Sequence, residues 1–430
     1  MMSVFVAALV STLAVGALPQ SAAAPTPQDC VKAGRDFLAK RQREIRQPTS
    51  EIVRQVEAER MEMIRACGAG FDVEKAEGRE LVGLVEMYAE SGQPQLAERA
   101  MARGLASAAL APADRAELLS NVIRALLRQP KGEARNARAE QYLDELDALP
   151  DQTLDHKVSA HVSLNNYYRY DDIDAGITKH STWLIEHGPR LSADQRKRYG
   201  AALTNAYVNQ AQVYAGQGEN DRALALLTRA SVDLSDIPDV ERRTRPTLDR
   251  YRLVGTPGAP IAAPVWLNGP DASSKPLALE GTVTYLQFTA HWCGPCKESY
   301  PGLQRLRARF AGRPFRAVLT TELYGYFESE RNLTPEQEIA RDREYYKHYQ
   351  LDVPIAIEPA RSTTNGATAA PIQSPNIAAY KVSGIPQIVI LDARGNIRLI
   401  MIGYDDANEA SLVSFIEKLL TEMPAKASKP

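Results

Sequence analysis

The chain has 430 residues, a formal net charge of −2, 44% hydrophobic and 24% charged residues, and four cysteines. That apolar content is ordinary for a globular protein, and so small a net charge gives no sign of a nucleic-acid or polyanion partner. Beyond residues 2–18 there is no other long apolar stretch, so nothing else in the sequence is expected to span a membrane.

The apolar run MSVFVAALVSTLAVGAL at 2–18 is followed by Ser21, Ala22, Ala23 and Ala24, small residues that suit a signal-peptidase site. Residues 1–24 therefore read as a signal peptide, with the remainder exported, periplasmic or otherwise, and soluble after cleavage. An uncleaved membrane anchor or a buried helix are the alternatives. Cys30 follows Pro-Gln-Asp, not the small-residue box of a bacterial lipoprotein, so no lipid anchor is expected there. About 400 residues remain, enough for two or three domains with cores of their own.

Residues 29–236 read as helix after helix. Helical spacing appears in Leu81, Leu84, Val85 and Tyr88, and again in Leu118, Val122, Ala125 and Leu126. Pro112 suits a first helical turn, and Ser192 with Gln195 fits a capping box. Breaks at SGQP, RQPKG, the DDID stretch and AGQGEN divide the segment into helix pairs starting near residues 74, 112, 153 and 192, a repeat of roughly 40 residues. Two pairs resemble tetratricopeptide hairpins. One runs through Ala206, Tyr207, Ala211, Tyr214 and Gly216 to Ala223, Leu227 and Ala230; the other through Leu81, Gly83, Leu84 and Tyr88 to Ala97 and Ala100. Such a repeat would offer a concave surface to protein partners; a plain helical domain without a partner is the alternative.

Seven prolines fall between Pro238 and Pro276. Proline at that density disfavours continuous helix, so residues 237–254 are expected to form an extended linker. From 255 to 423 strand signals take over, and 424–430 form a tail. VTYLQF at 283–288 reads as a strand buried on both faces, and KESYPGLQRLRARF sets Leu303, Leu306 and Phe310 on one helical face. PFRAVLTT, VPIAIE, QIVILD and NIRLIMIG are further strands, the last two joined by a hairpin turn at ARG. Thr334, Pro335 and Gln337 open a helix running to about Tyr349. A Ser-, Thr-, Ala- and Pro-rich loop leads into a short helix ending near Val382, and a last helix spans about Asn408 to Leu420. The order β-α-β-α-β-α-β-β-α implies an α/β fold, a mixed sheet with helices on both faces.

Between the first of these strands and its helix stands HWCGPC, residues 291–296. A CxxC pair could be half of a zinc site, but tetrahedral zinc needs two more ligands, and the six histidines show no ligand spacing. No metal is therefore expected. A purely structural disulfide closing so small a ring would be a poor staple. A CxxC at a helix start after a buried strand is what dithiol redox chemistry requires, because the unpaired N–H groups and the positive helix end stabilise a thiolate on the first cysteine.

Trp292, Cys293, Gly294, Pro295, Cys296 and Lys297, with Pro301 beyond, resemble the thioredoxin active-site segment. SGIPQIVILDARGNIRLI resembles the later thioredoxin segment in which a cis-proline faces the dithiol. GTPGAPIAAPVWLNG, ahead of the first core strand, is similar to the exported TlpA/ResA-type branch. The resemblance covers roughly residues 255–422. It implies a thioredoxin-like fold and a thiol-disulfide oxidoreductase whose only cofactor is its own redox-active disulfide. Cys293 would be the nucleophile, Cys296 the resolving thiol and Pro386 the cis-proline. Ile385 would offer backbone hydrogen bonds to an extended substrate, and Trp292 would pack beside the dithiol. His291 would be a solvated neighbour. Implied substrates are protein thiols and disulfides, apocytochromes or metal-delivery proteins among them.

The sequence departs from those families at two positions. Gln287 stands where thioredoxin has a buried aspartate, and Ser299 where ResA-type proteins have a glutamate; Glu298, one residue away, should point elsewhere on the helix. Glu322 is left as the candidate proton acceptor for Cys296. Gly-Pro between the cysteines and Ile before the proline match thioredoxin, a reductant at about −270 mV. In an oxidising compartment such a reductant would need an electron donor, for which a membrane thiol carrier is a candidate. Two rival readings are a tetratricopeptide-like scaffold with an accessory redox domain and a redoxin-type thiol peroxidase. Insulin reduction and peroxide consumption by the purified protein separate them.

Export would expose Cys30 and Cys67 to oxidants, so a disulfide between the first two helices is expected; two buried free thiols are the alternative. Cleavage of the leader predicts a mature chain beginning near Ala24. Mass spectrometry of the native protein checks this, and a cytosolic chain retaining Met1 or Met2 would contradict it.

Overall fold

The computed structural model describes residues 25–45, 50–108, 110–170, 173–269, 276–359, 374–404 and 406–423. The expected signal peptide, the Ser- and Thr-rich loop at 360–373 and the tail 424–430 lie outside the described residues. Among the described residues no helix is long and apolar enough to cross a membrane. The chain forms two compact units that divide between Ala160 and His161.

The first unit is helical: α1 Pro27–Glu44, α2 Ser50–Gly68, α3 Arg79–Glu90, α4 Pro94–Ala106, α5 Pro112–Leu127 and α6 Glu133–Asp147, followed by the start of α7 Leu154–Tyr170. Thr26 opens α1 with a capping box to Asp29, and proline occupies the first turn of α1, α4 and α5, where its missing N–H costs nothing. Leu81, Leu84 and Val85 of α3 are buried together with Leu118, Leu119, Val122 and Ile123 of α5. Gly104 lets α4 approach α5, since a Cβ there would stand 2.8 Å from Leu118. Cys30 of α1 and Cys67 of α2 form a disulfide across 37 residues of sequence, their Cα atoms 5.6 Å apart.

The second unit continues with α8 Asp174–His187, α9 Ala193–Gly216, α10 Asn220–Asp233 and α11 Val240–Tyr251. Ser192 caps α9 through the box with Gln195. The extended linker expected at 237–254 is thus corrected: α11 occupies most of it, with Pro246 in its interior. An interior proline costs roughly 3 kcal/mol. Val240, Thr244, Thr247 and Tyr251 are buried, and burial of the Val240 side chain, worth about 1.5–3 kcal/mol, together with the Tyr251 ring works against that cost. Packing overrides local propensity here.

After α11 come β1 Val265–Leu267, β2 Val283–Phe288, α12 Gly294–Arg309, β3 Phe315–Glu322, the hairpin β4 Tyr326–Phe327 and β5 Glu330–Arg331, and α13 Pro335–His348. β6 Ile355–Glu358, α14 Pro375–Ala379, β7 Gln387–Leu391, β8 Ile397–Ile402 and α15 Asp406–Thr421 complete the unit. Six strands form one sheet in the order β1-β6-β3-β2-β7-β8. β2, β3 and β6 run parallel, whereas β7 is antiparallel to β2 and β8, and β1 is antiparallel to β6. This is a thioredoxin-like α/β fold preceded by helices.

Alternation along the strands feeds two cores. Val283 and Tyr285 of β2, Leu319 of β3 and Ile388 of β7 pack with Leu303 of α12, Tyr346 of α13 and Ile416 of α15. Leu286, Phe288, Val318 and Val389 face the other way, onto Tyr380 beyond α14 and onto Ala211 of α9, Leu227 of α10 and Tyr251 of α11. One face of the sheet is therefore covered in part by helices that the sequence assigned to a separate domain. β1 and the β4–β5 hairpin were not expected.

The Cys30–Cys67 bridge should appear in non-reducing peptide mapping. Replacing both cysteines by alanine should lower the stability of the helical unit by about 2–4 kcal/mol, read by denaturant unfolding. Recovery of both thiols alkylated without prior reduction would contradict the bridge.

Candidate active site

β2 is paired on both sides and buried throughout, so the chain leaves the sheet only at the strand's end. It does so through Thr289–Trp292, and α12 begins at once. Cys293 is the N-cap of α12, and its Sγ accepts a hydrogen bond from the Cys296 N–H at 3.2 Å. Cys293 and Cys296 are joined by a disulfide, and both are buried, at 3% and 0% exposure. Phe288 pairs with Gln387 at the start of antiparallel β7, so the Ile385–Pro386 peptide falls beside the residues that lead into the dithiol. That peptide is cis. Trp292, 48% exposed, meets Tyr324 edge-on at 5.5 Å.

Beneath Cys296 the polar groups form a closed neutral chain. Tyr285 Oη donates to Gln287 Oε1 at 2.6 Å, Gln287 Nε2 donates to Ser299 Oγ at 2.9 Å, and Ser299 Oγ donates to the Cys296 carbonyl at 2.7 Å. Gln287 and Ser299, which the resemblance sets against acids elsewhere, are thus bonded to each other, and neither is built to take a proton. Glu298 is exposed. Glu322 is buried at the end of β3 and accepts from Ser374 Oγ at 2.6 Å.

His291 is not the solvated neighbour the sequence suggested. It is 3% exposed, enclosed by Tyr324 and by Tyr326 and Phe327 of the β4–β5 hairpin, whose rings lie 4.7–5.6 Å away. Burial, with Lys297 nearby, lowers its pKa to about 4. Its Nε2 lies 3.9 Å from Glu338 Oε1. Glu338 accepts from the N–H groups of Tyr324 and Gly325, both at 2.7 Å, fixing the loop that covers the histidine, and burial still raises its pKa. One turn on, Asp342 is 1% exposed, and neither carboxylate oxygen has a hydrogen-bond partner among the described residues. Burial, with Glu338 beside it, pushes Asp342 up to about 7. This His–Glu–Asp group was missed in the sequence. The signal was present, since Glu338 and Asp342 sit four apart on the face of α13 that also carries buried Tyr345 and Tyr346.

The segment before Pro386 is held from an unexpected direction. Arg250 of α11 is 2% exposed and donates to Ser383 Oγ. Ser383, Gly384 and Ile385 line a cleft of about 920 Å³ together with Trp292, Glu322 and Glu358. Pro246 and Asp249 of α11 complete its wall. Among the described residues no group of three or more His, Cys, Asp or Glu side chains is placed to hold a metal ion.

No family model matches the chain, and no curated protein matches it. Among solved structures, a thioredoxin-like superfamily protein is 23% identical, the match covering 39% of this chain and 99% of that one at a TM-score of 0.30. A thiol:disulfide interchange protein of the thioredoxin family from Chlorobium tepidum is 21% identical over 38% of this chain and 98% of its own, with a TM-score of 0.25. StoA from Bacillus subtilis is 21% identical over 36% of this chain and 98% of its own, with a TM-score of 0.23.

Asp342 sets a pH dependence. Its carboxyl titrates at about 7 in the folded chain against 3.8 ordinarily. Below both values the folded and unfolded states are equally protonated. Between them only the folded state keeps the proton, so its contribution to stability falls as pH rises from about 4 to about 7. Asp342→Asn should therefore unfold at a pH-8 free energy roughly 2–4 kcal/mol above the native chain and nearly match it at pH 4. Denaturant unfolding at the two pH values reads this, and an unchanged pH slope would contradict it.

Proposed function

We propose that the chain is an exported thiol-disulfide oxidoreductase that reduces disulfides of partner proteins. The observation that carries this reading is the Cys293–Cys296 disulfide at the first turn of α12, at the strand end that also receives the cis Ile385–Pro386 peptide, with Trp292 and Ile385 lining the neighbouring cleft. No covalent group other than the dithiol is needed.

In the reduced chain, Cys293 is the attacking thiolate. The free N–H groups and positive end of α12 favour its charged form over that of an ordinary thiol. Its sulfur bonds to one sulfur of the substrate disulfide, the substrate S–S bond breaks, and the leaving thiolate takes a proton from solvent. Cys296 then gives up its proton and attacks Cys293 Sγ in the mixed disulfide, releasing the second substrate thiolate, which is protonated in turn. The substrate gains two electrons and two protons, and the chain is left with the Cys293–Cys296 disulfide. Regeneration needs a dithiol donor of lower potential, such as a membrane thiol carrier.

Pro386 and the backbone of Ile385 orient an extended substrate segment, and Trp292 covers one side. The helical unit, in this reading a tetratricopeptide-like repeat, recruits partners. Gly294 and Pro295 between the cysteines favour the reductive direction, as in the thioredoxin segment they resemble.

The two sulfurs should behave differently on substitution. Cys296→Ser should accumulate covalent mixed disulfides with substrate proteins, whereas Cys293→Ser should lose both insulin-reducing activity and trapping. Non-reducing electrophoresis with mass spectrometry reads the outcome. Trapping by Cys293→Ser but not by Cys296→Ser would reverse the roles.

A further inference from the structure

The cleft beside Trp292 and the segment 383–385 carries chemistry that disulfide exchange does not use. Its floor lies on the sheet face opposite α12, where Thr320 and Glu322 of β3 project with Glu358 of β6. Glu322 and Glu358 are register partners on adjacent parallel strands. Glu358 is 1% exposed; its Oε1 accepts from the Asn376 N–H at 2.9 Å, but its Oε2 has no partner among the described residues. Thr320, also 1% exposed, has an unpartnered hydroxyl. Buried polar atoms normally find partners, and two orphaned ones on one cleft floor point to a ligand that supplies them. The walls above are apolar, formed by Phe288, Ile377, Val382 and Trp292.

We propose that this cleft is a subsite for a lysine or arginine side chain of the substrate protein near its disulfide, with Glu358 as the residue that selects it. This rests on the oxidoreductase reading above and adds the substrate's chemistry to it. An aliphatic stem fits the apolar walls, and a head made only of N–H donors fits a floor of oxygen acceptors. A neutral apolar side chain would leave both orphaned atoms unsatisfied, and an acidic one would meet two carboxylates.

The groups facing Glu358 agree with this assignment. Glu322 on β3 is a second acidic side chain, and Asn376 at the start of α14 is neutral. Across the cleft, Asp249 of α11 is already paired with Arg245 and Arg252, at 3.4 and 3.3 Å. Tyr324 lines the same side as Trp292, and Lys381 is exposed and has no ion pair with Glu358 among the described residues. Burial, opposed by the Asn376 hydrogen bond and reinforced by the neighbouring Glu322 charge, raises Glu358 to about 7. A bound cation favours the ionised form, so the preference strengthens as pH rises through neutrality.

The test uses the reduced full chain and two disulfide-linked peptides that differ only in lysine or norleucine beside the cysteine. Bis(2-hydroxyethyl) disulfide serves as a small substrate that carries no cationic side chain. The lysine peptide should be reduced about tenfold faster or more at pH 8, a preference that shrinks at pH 6. In Glu358→Gln the ratio of the two rates, which loss of folded protein cannot change, should fall to near one. Equal rates for the two peptides in the native chain, or a ratio retained in Glu358→Gln, would overturn the subsite while reduction of the small disulfide left the oxidoreductase reading standing. A chain inert toward the small disulfide would overturn both.

Discussion

Strand β2 is bonded on both edges and buried on both faces, and the site depends on that confinement. A strand so placed can hand the chain on only at its end, and there the sequence turns directly into α12. The turn leaves the first N–H groups of the helix without intrahelical acceptors. One of them, on Cys296, is already spent on the Cys293 sulfur. The antiparallel register of β7 then brings the Ile385–Pro386 peptide to the same strand end. The two cysteines and the cis-proline backbone thus come from segments some 90 residues apart in sequence, brought to one strand end by one pairing pattern.

The helices from α9 to α11 bear on the site physically. Their small residues, Ala211, Ala215 and Ala223, and the buried ring of Tyr251 form one core with Leu286, Phe288 and Val389 of the sheet. Arg250 reaches Ser383, so the segment entering the cis-proline is tied to α11 rather than left to the loop alone. The same helix lends Pro246 and Asp249 to the cleft. Part of the last helical hairpin thus lines the cleft next to Trp292 and the segment that enters the cis-proline.

Much of this was legible in the sequence, for physical reasons that can be named. β2, β3, β7 and β8 announce themselves because strands buried on both faces read as continuous apolar runs, and Ser192 and Thr334 show their capping boxes within four residues. Cys293 and Cys296 stand out because the strand end and helix start that hold them are local. What was hidden depends on distance. β1 is three residues long and finds its partner β6 some 90 positions on. α11 holds its helix through Tyr251 and Val240 against a proline that local rules count as a breaker. Arg250 and Ser383 are 133 residues apart. His291 looked exposed because the rings that bury it come from Tyr324 and from a hairpin of two-residue strands with no strand signal of its own. Gln287 and Ser299 were visible as neutral residues, but their bond to each other was not.

The central claim is that the start of α12 makes Cys293 a thiolate at neutral pH, and the most direct test is a titration of the reduced full chain. Absorbance at 240 nm, or the rate of alkylation, followed from pH 4 to pH 10 should show one thiol ionising well below about 8.5. That transition should vanish in Cys293→Ser and persist in Cys296→Ser. Two thiols that both ionise at or above the ordinary value would contradict the account.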